Sequence, residues 1–353
     1  MRHPNATQLT EIIRSGILAP SAENYHHAVF EPHTSGLKLW GDDVFQRMPR
    51  HRRLLTLSGF GAMAENMVLK ADTLGFGTCV NWFPDPTSPT LVASFSWAEG
   101  GTTKDALASA IPLRHTNRKF YRREKLPLPH LQLFAEEVAH IEGVKLMWLN
   151  EGVRRALVLQ LIRIAETERF RRQHLHQELF SAIRFDLGWK RTADEGLPPG
   201  ALEVESPMRL PFTLIRHWKV MRALNLFGVH HLLGIRAAYL PCLLAPHLGL
   251  LASTLETEEA AVAVGRAFER VWLRATLLGL ALQPMAASVA LPLQESGHGW
   301  VAEEVKVRLK DGWARILGSE IRPFMLFRVG KAEPPSIVAQ RKPVQAYLYG
   351  RNH

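Results

Sequence analysis

Apolar residues recur at helical spacing from Thr7 to Leu18, at Leu9, Ile12, Ile13 and Leu18. The pattern predicts an amphipathic helix that stops at Ala19-Pro20-Ser21, because proline disfavours the helical conformation in the residue before it. A loop from Ser21 to His27 follows. Ala28-Val29-Phe30 and Leu37-Lys38-Leu39-Trp40 then read as two short strands, antiparallel neighbours. Arg52 to Leu74 carries a long helical pattern closed by Gly75-Phe76-Gly77, with glycine in the position that ends helices. Further on, the pattern predicts a buried loop at Gln283 to Ala287, an amphipathic helix from Ala302 to Leu309 and a strand from Pro323 to Gly330.

The long helix has an echo. Gly61 to Gly75 lines up with Gly265 to Gly279 at a constant offset of 204, with Gly, Glu, Leu, Ala, Leu and Gly recurring in place. A shorter echo sets Gly36-Leu37-Lys38-Leu39 against Gly143-Val144-Lys145-Leu146, at an offset of 107. Two repeats in one order imply two related halves, 1–105 and 106–353, the second lengthened by an insertion of 97 residues. The insertion is expected within about 163–255. It holds a basic helical stretch (Arg169, Arg171, Arg172), a turn-rich run from Asp194 to Gly200, and apolar helices broken by proline, and it reads as a cap over something.

Composition narrows the class. The 353 residues are 46% hydrophobic, enough for a sizeable core. Cys79 and Cys242 lie far apart and fit neither a disulfide framework nor a metal knuckle, which points to a reducing, cytoplasmic compartment. Met1 to Asn5 leads straight into the first helix, so no signal peptide is expected. The most apolar window, Leu232 to Ala252, contains Arg236, Pro241, Pro246 and His247 and makes a poor membrane span. The net charge of +10 implies attraction to anions without choosing among a phosphorylated cofactor, a nucleic acid and an acidic membrane.

The chemistry concentrates in Arg114-His115-Thr116-Asn117-Arg118-Lys119-Phe120. Two guanidiniums four positions apart, with a hydroxyl between them, can close on one phosphate. The same run also reads as a solvated basic face.

Four segments together resemble the nitroreductase family of flavin-dependent oxidoreductases. They are Arg114-His115-Thr116-Asn117-Arg118, Ala19-Pro20-Ser21-Ala22-Glu23-Asn24, Gly279-Leu280-Ala281-Leu282-Gln283-Pro284, and Phe327-Arg328-Val329-Gly330. Their order is similar to the tandem branch of that family, in which a fused chain imitates the usual homodimer. The resemblance implies an α+β, nitroreductase-like fold with two halves forming an internal pseudo-dimer under a helical cap. It implies a monomer or weak homodimer. Only Met1 to Pro4 precedes the first helix, so one complete flavin site is expected instead of two.

By that resemblance Arg114, His115, Thr116 and Arg118 would hold the phosphate and ribityl chain of FMN, closed by Arg341 or Lys342. Ser21 and Asn24 would meet the pyrimidine edge of the ring, and Gln283, Pro284, Met285 and Ala286 its N5 side. Hydride from NAD(P)H would pass through the flavin to a small conjugated or nitro-type acceptor, with no protein acid or base required. The family has Gln-Pro-Trp where this chain has His26-His27-Ala28, a departure on the substrate side. Trp189 and Phe185, in the cap, would stack over a bound substrate.

Two other readings stand beside this one, and several more are excluded. A cap of that length could shut the flavin away, giving a sequestering protein. Nucleic-acid binding would use basic stretches such as Arg209 to Arg222, with no recognisable nucleic-acid motif beside them. His174-Leu175-His176 and His230-His231 lack the spacing of a helical metal pair, so no metal site is expected. Ser21 lacks a nucleophile elbow, and Asp85 and Asp186 read as turn or capping residues.

Overall fold

The computed structural model describes residues 3–34, 36–100, 105–294 and 297–350. The first lobe begins with α1 (Ala6–Ile17). Asn5 and Gln8 cap it reciprocally, each side chain accepting from the other's backbone N–H at 3.0 Å. Antiparallel strands β1 (Ala28–His33) and β2 (Gly36–Gly41) follow, as the pattern predicted. After a single turn, α2 (Asp43–Gln46), the long α3 (Arg50–Thr73) crosses the lobe. Two further strands, β3 (Phe76–Trp82) and β4 (Leu91–Glu99), complete a sheet in the order β1-β2-β4-β3. β3 escaped notice because its alternation is weak: Gly77 and Asn81 are poor strand formers, and Cys79 and Asn81 face outward.

The second lobe opens with α4 (Leu128–Ala139) and β5 (Val144–Trp148). The chain then runs through α5 (Gly152–Arg171), α6 (Gln173–Ser181), α7 (Arg209–Ile215), α8 (Trp218–Asn225), α9 (Val229–Gly234) and α10 (Leu240–Leu244). It continues through β6 (His247–Ser253), α11 (Glu258–Leu277), β7 (Ala281–Pro284), α12 (Ala287–Ala290), α13 (Glu303–Leu317) and β8 (Arg322–Gly330). The second sheet has the order β5-β6-β8-β7, so each strand has a counterpart at the same place in the first. The architecture is α+β, with two related halves.

The helical repeat locates the axis between them. A Cβ on Gly61 of α3 would fall 2.1 Å from the Val262 carbonyl oxygen, and one on Gly265 of α11 would fall 1.9 Å from that of Ser58. Residues 61 and 265, like 58 and 262, are separated by the repeat offset of 204. Each glycine therefore sits on the backbone of the other helix in the same way, the self-complementary contact of a twofold interface. Only a missing side chain permits such an approach.

The shorter echo does not survive. β5 is the edge strand equivalent to β1, whereas Gly36 to Leu39 lies in β2, whose counterpart is β6. The helical excursion therefore lies between β5 and β6, over 149–246, and starts and ends earlier than 163–255. Every residue of β6 is buried because helices cover both faces. Leu248, Leu250 and Ala252 pack with α5 and α13, while Leu251 packs with α4 and α11. The apolar window at 232–252 is thus short cap helices followed by a doubly covered strand. Among the described residues no single helix is long and apolar enough to cross a membrane.

Three further differences concern boundaries. Gln283 and Pro284 belong to strand β7 instead of a loop, and α13 runs past Leu309 to Leu317, with Gly312 packed on Leu161. The C-terminal segment returns to the first lobe: Val344 and Tyr347 are in its core, and Tyr349 donates to the Phe30 carbonyl at 2.9 Å. The sheets divide near residue 106, but the cores do not.

Candidate functional site

A cavity of about 1220 Å³ opens at the seam of the lobes. All twelve residues expected to meet a cofactor line it: Ser21 and Asn24 from the α1–β1 loop, Arg114, His115, Thr116 and Arg118 from the segment before α4, Gln283 to Ala286 from β7 to α12, and Arg341 and Lys342 from the tail. The cap forms its roof through side chains such as Phe170, Leu179 and Phe212. Small-molecule sites commonly measure roughly 300–1,000 Å³, so this one has room for two molecules together.

Asn117, 3% exposed, fixes the cradle. Its N–H donates to Leu282 O at 3.2 Å, its side-chain amide to Glu333 O at 2.8 Å, and its carbonyl accepts from the Tyr121 hydroxyl at 2.8 Å. With Asn117 pinned to β7 and the tail, its neighbours Thr116 and Arg118 face the cavity. Arg114 Nη2 donates to Leu18 O at 2.8 Å, its guanidinium lies 4.5 Å above the Trp272 ring, and its Nε has no hydrogen-bond partner.

The cations here fall into two kinds. On the cap side they are matched: Arg52 bridges Glu23 and Glu178 at 2.9 Å each, Arg169 meets Glu166 at 3.2 Å, and Lys342 meets Glu195 at 2.6 Å. On the cradle side Arg118 and Arg341 hydrogen-bond only to neutral groups, while Arg114 has Glu269 3.4 Å away. Arg118 donates to Ala201 O at 3.2 Å. Arg341 donates to Ile17 O and Ala19 O at 2.9 Å each, to Gln340 O, and to Asn24 Oδ1. Burial, followed by neighbouring positive charge, pulls both guanidiniums down to about 10; Arg114 supplies that charge for Arg341. Desolvated cations without a carboxylate are costly, and an anion entering the cavity would relieve them. Ser21 Oγ is also buried without a partner. These observations fit the phosphate and polar edge of a flavin nucleotide.

Other residues sit differently from expectation. Asn24, held at φ 64° beside Glu23 at φ 55°, spends its amide hydrogens on Gly196 O at 3.1 Å and Gln340 O at 3.4 Å. It ties cap and tail to the first lobe. Met285 N–H is committed to Leu326 O at 2.7 Å, and Gln283 Oε1 accepts from Arg328 Nε at 2.8 Å. Lys342 is engaged by Glu195, which leaves Arg341 as the tail's free charge. Phe185 and Trp189 pack on Phe212 within the cap instead of lining the cavity. The His26-His27 departure also falls outside it: His26 lies edge-on to Tyr347 and His27 Nδ1 is 3.0 Å from Asp42 Oδ2.

Of the paired histidines, His176 Nε2–H donates to Ile215 O, 2.8 Å away, and the His230 ring lies tilted against that of His231. Among the described residues no group of three or more His, Cys, Asp or Glu could hold a metal. Asp85 caps its own turn through Thr87 and Ser88.

Sequence reasoning missed Arg52 and Glu178, whose partners lie far along the chain, His51, whose ring nitrogens are buried without hydrogen-bond partners, and Glu269, buried behind Arg114. Glu269 did carry a signal, since it is the repeat equivalent of Glu65. Burial and nearby cations bring His51 down to about 4, so it lines the cavity as a neutral ring.

The site so defined is an anion-seeking cavity between two α+β lobes. No family model and no curated protein matches the sequence. Solved structures with partial likeness include an FMN-bound nitroreductase from Bacteroides fragilis, 13% identical, covering 67% of this chain and 94% of that one with a TM-score of 0.33. An FMN-dependent nitroreductase from Mycobacterium smegmatis in complex with NADPH is 17% identical, covering 64% and 88%, with a TM-score of 0.35. Nitroreductase A from Vibrio parahaemolyticus is 10% identical, covering 71% and 77%, with a TM-score of 0.37.

Proposed function

We propose that the chain is an FMN-binding, nitroreductase-like oxidoreductase that uses NAD(P)H to reduce a small conjugated or nitro-type acceptor. The observation that carries this reading is convergence: three segments chosen for their motifs, at Ser21 to Asn24, Arg114 to Arg118 and Gln283 to Pro284, line one cavity. The fourth, at Arg328, supports it from behind through Gln283. In this reading Arg118 and Arg341, with Arg114 and Thr116, hold the phosphate by charge-assisted hydrogen bonds, and Ser21 Oγ meets the ring's polar edge. The bound flavin supplies the redox chemistry. The chain's part is to hold it, to neutralise its phosphate and to keep water from it beneath the apolar roof, while the remaining volume admits a second flat molecule.

The sequestering alternative draws on one observation. The cap is fastened across the cavity by Arg52–Glu178 and Asn24–Gly196, contacts that oppose opening. An absorption spectrum of the purified protein, followed by titration of the stripped protein with FMN, tests the cofactor. Mixing the flavin-loaded protein with NADPH under nitrogen separates the two activities: bleaching supports the reductase, and a stable yellow colour supports storage. Failure to bind FMN at all removes both.

A further inference from the structure

The outer surface of the cap presents a different chemistry from its inner one. From residue 206 to residue 255 the chain contains no Asp or Glu; of its cations Arg236 lines the cavity and pairs with Glu205, while Arg216, Lys219 and Arg222 are exposed. Within α8 the apolar face looks inward, with Met221 fully buried. The opposite face carries Lys219, Val220, Arg222 and Ala223, all exposed, and leads into Leu226 and Phe227 at the turn before α9. Those two residues are 85% and 83% exposed. α8 and the helical run from Val229 to Leu244 meet at 104°, so the pair projects from the corner, with Leu232, 66% exposed, one turn beyond. Adjacent large apolar side chains standing in water at a projecting corner are unfavourable unless something covers them.

We propose that this corner docks the protein onto an anionic lipid bilayer, with Leu226, Phe227 and Leu232 entering the interface and Lys219 and Arg222 meeting the headgroups. Charge complementarity selects this occupant. A basic segment without acids of its own around exposed apolar side chains is the composition of helices that lie in a membrane surface, whereas an interface between two copies of this patch would bring its cations together. A pair of helices meeting at 104° can rest its corner on a bilayer surface. The same helices roof the cavity from within through Leu224, Val229 and Leu233. Docking would therefore set the roof against the lipid.

The experiment is co-sedimentation of the full chain with vesicles of phosphatidylcholine alone or mixed with phosphatidylglycerol, at low and high salt. The expected result is binding to the mixed vesicles only, weakened by salt, and reduced at least about tenfold by the double substitution Leu226→Glu, Phe227→Glu. Leu128→Glu, at an equally exposed leucine of α4 (67%), is expected to leave binding unchanged. Three results would overturn the proposal: no binding to the mixed vesicles, equal binding by the corner variant, or light scattering that shows a dimer dispersed by the same corner substitution. None of these readouts depends on flavin, so the cofactor assignment and the docking surface succeed or fail separately.

Discussion

Glu269 Oε1 lies 3.4 Å from Arg114 Nε, with both side chains almost wholly out of water. The distance is too long for a good hydrogen bond, and both carboxylate oxygens lack hydrogen-bond partners. Burial outweighs the attraction of Arg114 and raises the Glu269 carboxyl from 4.5 to about 7.

A stability slope follows from this shift. Between pH 4.5 and about 7 the folded chain binds a proton that the unfolded chain has released, so stability at this group falls as pH rises and levels off above 7. Glu269→Gln should flatten the slope and stabilise the protein at pH 8, by up to about 3 kcal/mol. Urea melts at several pH values measure this. An unchanged slope would show the carboxyl to be ionised throughout.

Arg118→Met should weaken FMN binding by roughly 10- to 100-fold, the cost of a charge-assisted contact. The thermal midpoint of the flavin-free variant should hold or rise, because a desolvated cation without an acid partner has been removed. A variant that melts early and binds normally would make Arg118 a structural residue.

Gly265→Ala places a methyl group 1.9 Å from Ser58 O and should cost about 3 kcal/mol in denaturant melts. Gly61→Ala should behave alike, since it repeats the clash at the equivalent point. A loss below about 1 kcal/mol in either would mean that the central helices slide freely.

Arg52→Met cuts the link between the Glu23 loop and Glu178 of the cap. Release of FMN from the loaded protein, followed by stopped-flow fluorescence, should quicken about tenfold, with a smaller change in the association rate. Unaltered release would mean that the cap is held elsewhere.

How far the sequence was legible depended on the reach of each residue's partners. Arg114, Thr116 and Arg118 could be picked out locally, because their donors cluster within five residues, but the cluster reads as an anion cradle or as a solvated basic face until the cavity it lines is known. The α1 helix and the repeat helix were legible through periodicity. Asn24 was found but its work was not: Gly196 and Gln340, which take its amide hydrogens, lie 172 and 316 residues away. The same distance hid Arg52–Glu178. β3 was lost where one face of the sheet meets solvent and alternation fades; β4, with Phe95 and Trp97 buried between Ser94, Ser96 and Ala98, did carry a period-two signal. The shorter echo misled because four residues of a strand carry too little pattern to mark equivalence.

The symmetric seating of Gly61 and Gly265 makes the residues around it comparable one by one, and the comparison shows departure. Glu65 is held by Arg266 at 2.8 Å and Arg270 at 2.9 Å. Glu269, its counterpart, finds Ala62 and Asn66 at the matching places. Two identical short chains meeting at such an axis would have to carry the same residue at both points. A single continuous chain is released from that obligation, so one carboxylate can serve as a strut while its twin stands behind the cradle.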